Sequence, residues 1–244
     1  MIVSLLVFVT ILALALPTAL VLIPFTLLTG NVAPLYAAGS WIARVAIRVA
    51  GIRVRIDGRE NIPPGRACIF MANHVSNLDA PALMSHLPGR TVVFLKRELL
   101  KLPIVGYAFK LANFIPVGRV GSTKSAQAAV ADAERVLASG LHITSFVEGG
   151  RSLDGRMQPF KKGAFYLAKD SGAPCIPISI FGTEKIIPWG SNRIHPGVAH
   201  IVFHLALDPA DYATRDDLSE AVRAAIASGL PEWMRNEQVD AGSR

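Results

Sequence analysis

The sequence predicts an α/β fold: a mainly parallel sheet flanked by helices, preceded by an N-terminal membrane-embedded two-helix segment. Three observations predict it. No Asp, Glu, Lys or Arg occurs before Arg44. Beyond Gly58, short β-branched apolar runs recur at strand length. Between them lie stretches of helical period, and such alternation marks strands joined through helices. Residues 1–57 are therefore read as the membrane-associated segment and residues 58–244 as one α/β domain.

The first element is MIVSLLVFVTILALALPTALVLIPFTLLTG. It lacks the basic start of a signal peptide, and its apolar run exceeds the roughly 7–15 residues such a peptide uses. It is long enough to span a bilayer, for which about 20 residues suffice. Pro17 and Pro24 are each expected to bend or interrupt a helix there. Gly30, Asn31 and Pro34 form a breaker cluster. The second element, VAPLYAAGSWIARVAIRVAGIRV, grows amphipathic towards its end. It is expected to lie in the interface, with Tyr36 and Trp41 as interfacial side chains. A spanning helix and a hairpin within one leaflet fit equally well. Residues 44–59 are expected on the cytoplasmic side.

The composition agrees with this division. The 244-residue chain is 51% hydrophobic and 18% charged, against about 25% charged in soluble domains. Its net charge of +7 suits nucleic acid, an anionic membrane or a phosphorylated ligand. Between Arg44 and Arg119 there are twelve Lys/Arg and four Asp/Glu. That basic stretch follows an apolar N-terminus and lacks interleaved exposed aromatics, which favours the membrane over nucleic acid. Cys68 and Cys175 lie far apart in apolar runs and are read as buried free thiols. No Cys/His cluster has zinc spacing, so no metal is expected.

ACIFMAN (67–73), TVVFL (91–95), HITSFVE (142–148), PCIPISIF (174–181) and AHIVFHLAL (199–207) read as buried strands. SAQAAVADAERVLAS (125–139) reads as a helix stopped by Gly140. GAFYLAKDSG (163–172) and LSEAVRAAIASGL (218–230) read as two more.

MANHVSNLDAP (71–81) carries a strand into a helix. Pro81 fits only the first turn of that helix, so the helix begins near residues 77–80. A spacing of five within one helix would set His74 and Asp79 about 140° apart. The two can meet only if His74 lies on the preceding turn, and Pro81 puts it there. Strand ends of this kind are where α/β folds bind ligands. An imidazole there can act as general base, and a carboxylate on its other nitrogen fixes the tautomer. Asn73, Ser76, Asn77 and Asp79 read equally well as ordinary turn and cap residues. Ser76 is a third possibility, a nucleophile beside its base. No G-x-S-x-G elbow supports that, and a cap suits Ser76 better.

FVEGGRS (146–152) leaves another strand, with Glu148 and Arg151 flanking two glycines. Exposed amides beside an Arg make an anion site. Arg119 ends the apolar run FIPVGR (114–119). Two arginines at strand ends on the rim that carries His74 suggest a phosphate-bearing substrate.

Together these residues resemble the PlsC-type glycerolipid acyltransferases, typified by 1-acylglycerol-3-phosphate acyltransferase. NHVSNLD matches the family's N-H-x-x-x-x-D block. LKRELLKLPIVG (95–106), FIPVGR, FVEGGRS, FKKGAF (160–165) and CIPISI (175–180) are similar to its later blocks, in family order across residues 58–181. Val147 and Gly150 stand where the family usually has Pro and Thr, and the extra glycine is expected to loosen the loop.

The resemblance implies transfer of an acyl group from acyl-CoA or acyl carrier protein to the hydroxyl of a lysophospholipid. His74 would deprotonate the hydroxyl and Asp79 would orient His74. Arg119, Arg151 and Lys96 would hold the phosphate, and Glu148 would organise the loop or a substrate hydroxyl. Gly149 and Pro177 join the substrate-binding set, and backbone amides near Gly149 or Ile176 would form an oxyanion hole. No cofactor is implied. The partners are the bilayer, the lyso-acceptor and the acyl donor, without nucleic acid, at the cell inner membrane with the site facing the cytoplasm. Three other readings stay open: a sister enzyme acting on glycerol 3-phosphate or lyso-ornithine lipid, a non-catalytic anionic-lipid-binding membrane protein, and a hydrolase using Ser76.

Overall fold

The computed structural model describes residues 2–117 and 123–235, with side chains except at Lys96, Val117 and 123–130. Helix α1 (Ile2–Thr29) is one unbroken helix of 28 residues. Pro17 and Pro24 lie inside it and do not divide it, so the interruption that the sequence allowed does not occur. Each removes one backbone bond. In an apolar segment the remaining backbone groups have no better partner than each other. At 1.5 Å per residue α1 is about 42 Å long, more than the roughly 30 Å of a bilayer core. By length and composition it can cross a membrane, and only Val7 and Thr26 are buried against the protein.

Gly30, with φ 69°, reverses the chain, and Asn31 Oδ1 accepts the Ala33 amide at 3.0 Å. Helix α2 (Ala33–Val49) then packs beside α1. Its Leu35, Ile42, Ala46 and Ile47 face inward, and Trp41 is exposed. Tyr36 does not behave as the interfacial anchor the sequence suggests. Its hydroxyl accepts the Thr91 amide at 3.1 Å and ties α2 to the sheet.

The sheet has seven strands among the described residues, in the order β1-β7-β6-β2-β5-β3-β4. They are β1 (Ile52–Asp57), β2 (Ile69–Ala72), β3 (Thr91–Lys96), β4 (Ile115–Val117), β5 (His142–Phe146), β6 (Cys175–Phe181) and β7 (Gly197–Phe203). All pairs are parallel except β6 with β7. The sheet begins five residues before the expected boundary of 57. Ile52, Val54 and Ile56 alternate with Arg53, Arg55 and Asp57, a period of two that makes 52–57 an edge strand on β7.

Six further helices complete the described fold: α3 (Asp79–Met84), α4 (Val105–Leu111), α5 (Thr123–Ala138), α6 (Gly163–Ser171), α7 (Thr183–Ile186) and α8 (Arg215–Gly229). One sheet face, with Ile69, Met71 and Ile143, packs against Leu137 of α5, Phe165 of α6 and Val222 of α8. The other, with Phe70, Ile178 and Phe203, packs against Ala46 of α2, Leu83 of α3 and Val7 of α1. Each fully buried large side chain contributes about 1.5–3 kcal/mol. Helix α8 opens with a reciprocal cap between Thr214 and Asp217. Cys68 and Cys175 are buried and free. Cys175 belongs to the first face and Cys68 to the second, so the sheet itself separates the thiols.

Candidate active site

Strands β6, β2 and β5 are adjacent and parallel, so the chain leaves all three at one edge. β2 exits into residues 73–78, β5 into 147–152 and β6 into 182–183. The three exits are bound to one another. Asn73 donates from Nδ2 to the Ile180 carbonyl at 2.8 Å and accepts the Ile180 amide at 2.7 Å. That holds the turn to β6. The His74 amide donates to Glu148 Oε1 at 3.1 Å, and the Ser152 amide donates to the His74 carbonyl at 2.8 Å. Those bonds hold it to the loop after β5.

His74 stands on the turn and Asp79 opens α3, the separation that the Pro81 argument requires. His74 Nδ1 lies 2.8 Å from Asp79 Oδ2. The same oxygen accepts the amides of Val75 at 2.7 Å and Ser76 at 2.8 Å. Asp79 is buried, and its Oδ2 is held by the His74 ring and two amides of the turn. With Nδ1–H donating to it, Nε2 keeps its lone pair. The imidazole stacks on Phe146 with ring centroids 4.1 Å apart. The His74 side chain is 18% exposed, so it is reachable yet fixed.

Thr183, which the sequence does not single out, completes this arrangement. Its buried hydroxyl donates to Asp79 Oδ1 at 2.5 Å. The only sequence signal is its place after Gly182 at the end of an apolar strand. The partner lies 104 residues away, and no local pattern announces it.

Ser76 is a turn residue and no nucleophile. It is fully buried, and its hydroxyl donates to the Ile187 carbonyl at 2.9 Å and accepts the Leu78 amide at 3.3 Å.

Glu148 is buried at 5% exposure. Burial pushes its carboxyl up to about 8, with the Asp79 carboxylate adding to the rise; the amides of His74 and Gln158 and the Arg223 guanidinium oppose it. At neutral pH it favours the acid form, a hydrogen-bond donor. Its Oε2 is buried without a hydrogen-bond partner among the described residues. Arg151 follows on the same loop, half-buried, next to the Ser152 that bonds His74.

Gly149 has φ 70°, and a Cβ there would come within 2.8 Å of Lys161 Cγ. The glycine lets Lys161 cross the loop, which adds a cation that the sequence leaves without a role. The Gly149 amide donates to the Phe146 carbonyl at 2.9 Å, so it closes a turn and is not open to an oxyanion. The Ile176 amide belongs to the sheet ladder. Ile176 pairs with Phe70, four residues before His74, or about 13 Å along the strand. Pro177 is likewise inside β6, buried and opposite Met71. The CIPISI run is a central strand whose side chains fill the core, so Pro177 is not brought to the rim. Lys96 ends β3, and its side chain, like all of Arg119, lies outside the described residues.

Val147 is buried in the core. Gly150 has open space around it. Surface hollows lined by Arg66 and Ala67 lie at the opposite edge of the sheet and hold none of these residues. Among the described residues no group of three His, Cys, Asp or Glu assembles as a metal site.

A mostly parallel sheet with a His–Asp pair at the exit of a central strand defines the class. The family model described as Acyltransferase matches residues 53–181, and the chain belongs to this acyltransferase family, in its PlsC-type form. It is 38% identical over 181 residues to a 1-acyl-sn-glycerol-3-phosphate acyltransferase of Chlamydomonas reinhardtii, covering 73% of this chain and 53% of that one. It is 40% identical over 187 residues to the human 1-acyl-sn-glycerol-3-phosphate acyltransferase alpha, covering 75% and 65%. The chain spans about half the length of the first curated relatives it matches. The crystal structure of the 1-acyl-sn-glycerophosphate acyltransferase PlsC from Thermotoga maritima superposes with a TM-score of 0.82 at 25% identity, covering 93% of each chain.

Proposed function

We propose that this protein transfers a fatty acyl group from acyl-CoA or acyl carrier protein to the free hydroxyl of 1-acylglycerol 3-phosphate, giving phosphatidic acid. The observation that carries this reading is the His74–Asp79 pair at 2.8 Å, with Nε2 turned from the carboxylate. The relatives named above carry the same activity in their names.

His74 Nε2 takes the acceptor hydroxyl's proton as its oxygen attacks the thioester carbonyl. The C–S bond breaks, and the proton passes from the imidazolium to the departing thiolate. Asp79 keeps Nδ1–H in place and stabilises the imidazolium. Arg151 and Lys161, with Lys96 and Arg119, are the cations proposed to hold the acceptor phosphate. Glu148 Oε2 is suited to a substrate hydroxyl. The reaction as written balances without a cofactor. The proposed setting is the inner membrane with the site on the cytoplasmic face, in keeping with the basic stretch 44–59.

The test is release of free thiol by purified protein, offered acyl-CoA or acyl carrier protein and a panel of lyso-acceptors. Release is expected with 1-acylglycerol 3-phosphate and lost in His74→Ala. Preference for glycerol 3-phosphate, or for a lyso-acceptor without phosphate, would point to a sister enzyme. Release within a few-fold of wild type in His74→Ala would overturn the general-base role. Lipid binding with no thiol release at all would leave a non-catalytic module.

A further inference from the structure

β3 runs parallel to β5, so Lys96 and the chain beyond it leave the sheet at the edge that carries His74. That chain does not fold back into the core. Leu99, Leu102, Ile104, Val105 and Tyr107 are all exposed, each by 40–46% of its surface. Residues 102–105, Leu-Pro-Ile-Val, are four apolar residues in a row, all facing out. On a water-facing surface such a run is a liability that a functional contact has to justify.

The backbone makes the tip a deliberate shape. Ile104 has φ 63° and ψ −63°, where a β-branched residue is a genuine outlier. The Val105 amide donates to the Pro103 carbonyl at 2.6 Å across this tight, strained three-residue turn. A Cβ on buried Gly106 would come within 2.5 Å of the Leu100 carbonyl, so the two limbs of the tip are pressed together. The fold bears this cost while presenting apolar side chains outward.

The neighbourhood names the occupant. Helix α4, which carries Val105 and Tyr107, lies against α1, the helix whose apolar surface is almost wholly uncovered. The exposed tip is thus continuous with that surface. Around it stand exposed Arg97, Lys101 and Lys110 against one acid, Glu98, a charge balance that suits anionic headgroups. On the other side, the loop after α7 is tied to α1 through the Ile194 amide and Ser4 Oγ at 2.9 Å. It presents Trp189, 53% exposed, a residue type enriched at membrane interfaces.

We propose that the segment 99–107 inserts into the phospholipid surface as a second membrane contact beside α1. The bilayer then meets the protein at the edge where His74 stands, and the acceptor can enter the site without crossing bulk water. This rests on the reading of α1 as membrane-associated, and the experiment separates the two.

Single cysteines are placed at Leu102→Cys, Val105→Cys, Leu20→Cys and Leu205→Cys and labelled with an environment-sensitive fluorophore. The native thiols are buried. Leu205 is 71% exposed and lies beside the start of β6, at the far edge of the sheet. The full chain is reconstituted with vesicles of phosphatidylcholine and phosphatidylglycerol. Labels at 102 and 105 are expected to shift to the blue and to be quenched by spin-labelled acyl chains, as at 20, while the label at 205 does neither. If 20 enters and both tip positions stay in water, the inference is overturned and the membrane reading of α1 stands. If none enters, both fall. If 205 shifts like the tip, adsorption has no orientation and the inference is overturned.

Discussion

Asp79 Oδ2 lies 2.8 Å from His74 Nδ1 across the join between a turn and a helix, and it accepts two backbone amides of that turn as well. The carboxylate therefore does two things with one oxygen. It orders the backbone that carries the histidine, and it sets which ring nitrogen holds the proton.

Asp79→Asn removes the second task while keeping much of the first. An amide oxygen still accepts the turn amides, but the tautomer is no longer secured. The rate of acyl transfer is expected to fall by about 10²–10⁴-fold, with acceptor KM changing little. Steady-state kinetics at saturating donor checks this. An unchanged kcat would remove Asp79 from the mechanism.

Thr183→Val leaves Asp79 Oδ1 buried without its hydroxyl donor. A hydrogen bond to a charged group is worth about 1.5–3 kcal/mol, so kcat is expected to fall by roughly ten-fold or more. Thr183→Ser is expected to restore most of it. Full activity in Thr183→Val, with loss confined to Thr183→Ser, would mean that the methyl packing matters and the hydroxyl does not.

Glu148 gives stability a pH dependence. Burial pushes its carboxyl up to about 8 in the fold, from an ordinary value of 4.5. Between those values the folded state keeps a proton that the unfolded chain has lost. The associated stability is complete below the lower value and is lost as pH rises through the upper one. Wild-type Tm is expected to fall relative to Glu148→Gln as pH is raised across that window. Parallel Tm profiles for the two proteins would contradict the placement of the charge-free carboxyl.

Neither thiol should react in the native protein. Burial pushes Cys175 up to about 12 and raises Cys68 as well, and the thiolate is the reactive form. Alkylation at neutral pH is expected only after denaturation. Labelling of native protein, read by mass spectrometry, would show that these strands open.

The layers of this fold are legible in the sequence because local pattern dictates them. The run at 142–146 is apolar and β-branched and forms β5; Gly172 stops α6 as read. The His74–Asp79 meeting is legible too, since Pro81 alone forces the helix to begin after the histidine. What stays hidden is non-local. Thr183 reaches Asp79, and Asn73 reaches Ile180, only because β6 returns beside β2 after more than a hundred residues. Residues 52–57 are misassigned because the charged Arg53 and Arg55 of an edge strand look like the end of a basic helix. Pro177 draws notice as a family-like residue, although its place in the middle of a central strand gives it a packing role. Gly150 has open space around it, while Val147, three residues earlier, is locked in the core.

The docking of α1 at Ser4 has a consequence for how rates should be expressed. Ile194, its partner, precedes β7, and β7 starts beside the end of β6. Helix α1 is therefore fastened to the same rim as His74. With α1 in a bilayer, a lipid acceptor of the kind proposed would meet His74 by lateral diffusion. Under the proposed function the governing variable would be acceptor per unit of bilayer area, and dilution of the whole suspension would leave turnover unchanged.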